Sequence, residues 1–102
     1  MRFIAALVVS FCCLASAAVA QEIPDYDTQG FCERRAGADT ANNRRFATCL
    51  MIEDLALDEL EDDWPEANET MRLECIEEAN LTESYVVLAS CLMARVREHR
   101  RR

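Results

Sequence analysis

At 102 residues, with 51% apolar and 29% charged positions, the chain is one globular domain at most. Its 19 acids outweigh 11 bases, all of them arginine, for a formal net charge of −8. Two glycines, two prolines and a single histidine exclude a glycine-rich phosphate loop, a histidine-centred triad and a His-rich metal cage.

Arg2 gives residues 1–20 a positive start, residues 3–14 are almost wholly apolar, and Ala18, Val19 and Ala20 supply the small-x-small end that signal peptidase reads. A signal peptide cut between Ala20 and Gln21 is expected, because the apolar run is short for a membrane span. Cys12 and Cys13 leave with it, and Phe11 ahead of them is not the small residue of a lipid-anchored cysteine. No later segment reads as transmembrane. Residues 21–102 then form a single domain of 82 residues with net charge −9, in the periplasm or secreted.

Within that domain Thr28 is placed to cap a short helix that Gly37 ends, and Asp39 or Thr40 to cap a long helix over residues 41–61. Pro65 suits the first turn of a second short helix after Asp63 and Trp64. Residues 80–82 interrupt and recap, and a second long helix covers residues 83–98. No alternating run or hairpin dipeptide signals a strand. Phe46, Cys49, Leu50, Leu57 and Leu60 form the apolar stripe of the first long helix, and Tyr85, Leu88, Leu92 and Val96 that of the second. Ile52, Leu55 and Val87 fall off these stripes, where they would complete a dimer; the oligomeric state itself is not readable.

Cys32, Cys49, Cys75 and Cys91 are separated by 17, 26 and 16 residues. The segments starting at Cys32 and Cys75 align: each has Ala four residues on, then a polar break, then Ala, Thr or Ser, Cys, Leu, Met. The period of about 43 residues is that of one supersecondary unit. The expected fold is therefore all-α, a small disulfide-stapled domain of two repeated helical hairpins. Four cysteines allow three pairings. The repeat favours Cys32 with Cys49 and Cys75 with Cys91, whereas the nested pairing of Cys32 with Cys91 and Cys49 with Cys75 would clamp the two units together. Thiolate zinc sites draw ligands in close pairs, and no two of these cysteines are nearer than 16 residues.

The string CLMIEDLALDEL from Cys49, then Trp64, then CIEE from Cys75, and finally SYVVLASCLMAR from Ser84 resembles a family of short exported alphaproteobacterial proteins. Their pattern has the form CLxxExxAxxxL, W, C and SYVxLxxCLxxAR. The resemblance covers about half of residues 21–102 and implies export and a helical disulfide fold, with no activity attached. A fainter similarity is to the LprI-type lysozyme inhibitors, which share cysteines, a Trp before the third of them and a Cys-Leu near the end. The Trp-to-Cys interval here differs from theirs.

Glu53 is the sharpest single residue, because it falls on the apolar stripe between Leu50 and Leu57. Four residues after Cys91, the equivalent place in the second unit holds Arg95, and an ion pair between Glu53 and Arg95 where the units pack is expected. Residues 53–78 hold twelve acids and one base, Arg72. That run lacks the Gly-turned acidic loop of a calcium site and suits a solvated face or a basic partner drawn by its field. Arg95, Arg97, Arg100, Arg101 and Arg102 form the opposite pole, favourable at a helix C-terminus. Nucleic acid is not an expected partner of an acidic chain whose basic tail has no interleaved aromatics. No Ser or Cys nucleophile has a His base, so no enzyme and no cofactor is expected. The leading function is a non-enzymatic interaction or inhibitor module that meets a basic envelope protein through the acidic face. The alternative is a metal-binding protein using acid or cysteine ligands.

Overall fold

The computed structural model describes residues 22–37 and 43–102. The signal peptide, its cleavage point at Gln21 and the capping roles of Asp39 and Thr40 lie outside the described residues. Four helices follow in chain order: α1 (Thr28–Ala36), α2 (Asn43–Asp63), α3 (Glu69–Ala79) and α4 (Tyr85–Arg101), with a one-turn 3-10 segment, Trp64–Glu66, between α2 and α3. Among the described residues there is no strand, and no helix is long and apolar enough to cross a membrane.

Local chemistry sets the boundaries. The cap of α1 is Asp27 rather than Thr28, its carboxylate accepting from Gly30 N–H at 3.0 Å. Gly37 ends α1 with φ 77°, a left-handed value that glycine adopts without penalty, while its N–H donates to the Glu33 carbonyl. Pro65 does not open α3 as expected. It sits in the 3-10 turn, where its missing N–H is harmless, and Asn68 caps α3 by accepting from Met71 N–H at 2.9 Å. Glu83 reverses the chain between α3 and α4 at φ 55°, its N–H donating to the Ala79 carbonyl at 2.8 Å.

The core is the seam of α2 and α4, closed by α3. Leu60 of α2, Leu88 and Leu92 of α4, and Cys75 and Ala79 of α3 are fully buried, with Ala56, Trp64, Tyr85 and Val96 around them. The α4 stripe is therefore as expected. In α2 only Leu60 of the expected stripe is fully enclosed, and Phe46, Cys49, Leu50 and Leu57 are half-buried. Near Cys49, α2 packs on the short α1, which has too little apolar surface to bury this part of the stripe fully.

Two disulfides join the helices pairwise. Cys32 of α1 bonds Cys49 of α2, and Cys75 of α3 bonds Cys91 of α4. The nested pairing is thereby excluded. Arg72 holds the end of α2, donating from Nε and Nη2 to the Trp64 carbonyl at 3.1 and 2.6 Å with its guanidinium 5.4 Å from the indole ring centre.

The extended segment before α1 is pinned to the far side of the core by two tyrosines. Tyr85 Oη donates to the Pro24 carbonyl at 2.8 Å and accepts from Tyr26 N–H at 2.9 Å, the rings stand 5.0 Å apart, and Tyr26 Oη donates to Asn80 Oδ1. Burial, then the neighbouring Tyr85 and Glu83, push the Tyr26 phenol up to about 12 from an ordinary value of 10.0. A group raised in the folded state adds stability below its unfolded pKa and loses it as pH climbs through the folded value. Stability is accordingly expected to fall between about pH 10 and 12. The difference between alkaline absorbance titrations of wild type and Tyr26→Phe should show a phenol ionising near the top of that window; a step near 10 would contradict it.

Candidate functional site

Glu53 lies on α2 with only 1% of its surface exposed, facing the start of α4. A helix begins with N–H groups that have no carbonyl within the helix to receive them. Here the Tyr85 and Val86 N–H groups donate to the Glu53 carboxylate at 2.9 and 3.1 Å, and Ser84 Oγ donates to it at 3.1 Å. The Ser84 hydroxyl in turn accepts from Val87 N–H at 3.5 Å, and Leu88 N–H finds the Ser84 carbonyl. Every opening donor of α4 is thus satisfied, the first two by a side chain from another helix. The first turn of α4 contains no acid of its own, so Glu53 also supplies the negative charge that the helix dipole favours. Three charge-assisted bonds offset the cost of burying a carboxylate.

The expected ion pair between Glu53 and Arg95 does not form. Arg95, exposed on α4, pairs with Glu74 of α3, while Glu53 is committed to the α4 N-terminus. Equivalent positions in two aligned segments share a helix face, but what lies opposite depends on the neighbouring helix. The neighbour of Arg95 is α3, and that of Glu53 is the first turn of α4.

The acidic run and the arginine tail meet across the α3–α4 side. Arg100 faces Glu66 at 2.6 Å and Arg95 faces Glu74; Arg102 pairs with Glu98 within α4 at 3.3 Å. All three pairs are exposed, where such contacts contribute about 0.2–1 kcal/mol. Of the twelve acids in residues 53–78, Glu53 is buried and Glu66 and Glu74 are paired, which leaves nine without a cation partner among the described residues. Asp54, Asp58, Glu61 and Asp62 share the face of α2 turned away from Leu60.

The four cysteines among the described residues are all in disulfides, so none of these is a free thiolate for zinc or copper. Among the described residues no group of three or more His, Cys, Asp or Glu is placed to hold a metal ion. Of the methionines, which are soft donors too, Met51 and Met93 are exposed on different helices and Met71 packs against the core.

One feature escaped sequence reasoning. Arg35, Arg44 and Arg45 gather where α1, α2 and the start of α4 enclose a cleft of about 820 Å³. The two Arg-Arg steps at residues 34–35 and 44–45, bracketing the α1–α2 connection, were its only sequence signal.

The fold and these sites define an all-helical protein whose helices are stapled in pairs by two disulfides. No protein-family model, curated protein or solved structure matches the chain. Glu53, Ala56, Leu60, Trp64, Cys75, Ser84, Tyr85, Leu88 and Leu92, from the strings that begin at Cys49, Cys75 and Ser84 and from the tryptophan between them, are buried.

Proposed function

We propose that this is a non-enzymatic interaction module of the cell envelope, exported by residues 1–20 and built of two related helical hairpins. Its acidic face receives a basic partner protein. Two disulfides in an 82-residue domain support export, because such bonds persist in oxidising compartments.

The observation that carries the reading is the unfavourable placement of the acids. Asp54, Asp58 and Asp62 follow at four-residue intervals on one face, and like charges so spaced cost a helix about 0.2–0.5 kcal/mol per pair. Three of the last four residues of α2 are acids and no base is present there, against the preference of the helix dipole for cations. A face needed only for solubility would tolerate lysine or arginine at these positions. A face for a basic partner would not. The stability forgone in the free protein is then recovered by charge pairing in the complex.

A photocrosslinker in place of the exposed Met51, which shares the face of Asp54 and Asp58 on α2, tests this in the exported protein. A discrete adduct with a basic protein is expected, lost in high salt and lost when Asp54, Asp58 and Asp62 are all replaced by Asn. The same triple variant should melt a few degrees higher than wild type, since it relieves repulsion in the free protein. Adducts with neutral or acidic proteins, or none at all, would overturn the reading.

A further inference from the structure

The arginine-rimmed cleft lies away from the acidic stripe and reverses the charge of the chain. Arg35, Arg44 and Arg45 are exposed on its rim, and no carboxylate among the described residues pairs with any of them. Arg35 is steadied over the Phe31 ring, 5.9 Å from its centre. Among the described residues the only acid in the lining is Glu53, and both of its oxygens already accept bonds from the start of α4. Three cations without a carboxylate partner among the described residues therefore face this space, in a chain of net charge −8. The floor beneath them is apolar, formed by Phe31, Ile52, Val86 and Val87.

A second, smaller groove of about 230 Å³ shares Ile52 and Val86 with the first and continues between α2 and α4 past Leu55, Ala89 and Met93, with Glu59 and Ser90 on its edge. Exposed Ile52, Leu55, Val86 and Met93 thus make one apolar track leading away from the cations. The larger cleft is within the roughly 300–1,000 Å³ of small-molecule sites. A charged end followed by a small, mainly apolar groove matches a head group with a single tail. A compact anion would leave the track unused.

The geometry points to a binding site for an anionic single-chain amphiphile, its carboxylate or phosphate head held by Arg35, Arg44 and Arg45 and its alkyl chain lying over Ile52 and Val86 toward Met93. Guanidinium groups recognise both head groups bidentately, so the shared chemistry is an oxyanion on an alkyl tail.

Amide NMR of the 15N-labelled, disulfide-bonded protein tests the site with dodecyl phosphate and laurate below their micelle concentrations. Saturable shifts confined to the cleft and track are expected with at least one of them, and the tighter binder tells phosphate from carboxylate. Inorganic phosphate alone, and a neutral dodecyl glycoside, should bind at least tenfold more weakly. Replacing Arg35, Arg44 and Arg45 together by Gln should weaken binding at least tenfold while leaving the rest of the spectrum in place. Met93→Asn should weaken the twelve-carbon ligands and leave a six-carbon analogue unchanged. Shifts scattered over the surface, or equal binding by the Gln variant or the neutral glycoside, would overturn the assignment. So would saturation by an acidic peptide with no amphiphile binding, or concentration-dependent shifts of the same residues without ligand. Those two results would give the cleft to a protein partner or a second copy of the chain.

Discussion

Glu53→Ala is expected to lower the unfolding free energy by about 3–4 kcal/mol, because it leaves the Tyr85 N–H and the Ser84 hydroxyl buried with no acceptor. Glu53→Gln keeps one acceptor oxygen but turns an amide donor toward other donors, and should cost roughly 1–3 kcal/mol. Urea denaturation reads both values. Arg95→Gln removes only an exposed contact with Glu74 and should cost no more than about 1 kcal/mol. The Glu53→Gln and Arg95→Gln effects should then add to within about 0.5 kcal/mol in the double variant, as for sites with no shared partner. A coupling well above that would restore the direct pair and contradict the geometry at the α4 N-terminus. Amide hydrogen exchange read by NMR should place the lost protection of Glu53→Ala at the start of α4. The same carboxylate that fixes the α2–α4 seam also lines the arginine cleft and holds the Val86 backbone there, so its loss should disturb that site too.

What could be read from the sequence follows the reach of each signal. Tyr85, Leu88, Leu92 and Val96 all face the core, because helical spacing alone decides which side of α4 they share. Spacing was less informative in α2, where the burial of Phe46, Cys49 and Leu50 depends on how much surface a nine-residue α1 can cover. Thr28 and its neighbour Asp27 both have capping side chains, and the backbone path makes Asp27 the cap where Thr28 was expected. That Glu53 was misplaced for a surface acid could be read; its partner could not. The partner is set by the turn in which Glu83 takes φ 55°, a conformation usually marked by Gly or Asn and here carried by Glu. The Tyr26–Tyr85 clasp joins residues 59 apart, beyond any periodicity argument. The arginine cleft needed the separation of α1 from α4, a property of packing and not of local sequence.

Removing the Cys75–Cys91 bond should cost far more global stability than removing Cys32–Cys49, although the bonded cysteines are separated by nearly the same distance in sequence, 16 and 17 residues. Chain entropy alone assigns each about 3 kcal/mol, so any difference between them reports on context. Cys75 is fully enclosed in the core cluster, and Cys91 packs against that cluster from α4. Cys75→Ala with Cys91→Ala loses core contacts as well as the cross-link, and a loss of about 3–5 kcal/mol is expected. Total stabilities of about 0.05–0.15 kcal/mol per residue make that a large part of the whole for this domain. Cys32 is equally enclosed but outside the core cluster, and α1 packs mainly on α2. Cys32→Ala with Cys49→Ala should therefore free α1 locally, between the Tyr26 clasp and the start of α2, while the α2–α4 unit keeps most of its stability. Hydrogen exchange read by mass spectrometry separates the cases. Loss of protection confined to residues 28–36 is expected for the first pair of cysteines, and loss throughout α2, α3 and α4 for the second. If both variants lose protection uniformly, α1 belongs to the same cooperative unit as the core. The arginine cleft would then have three rigid walls rather than two rigid walls and one that can open.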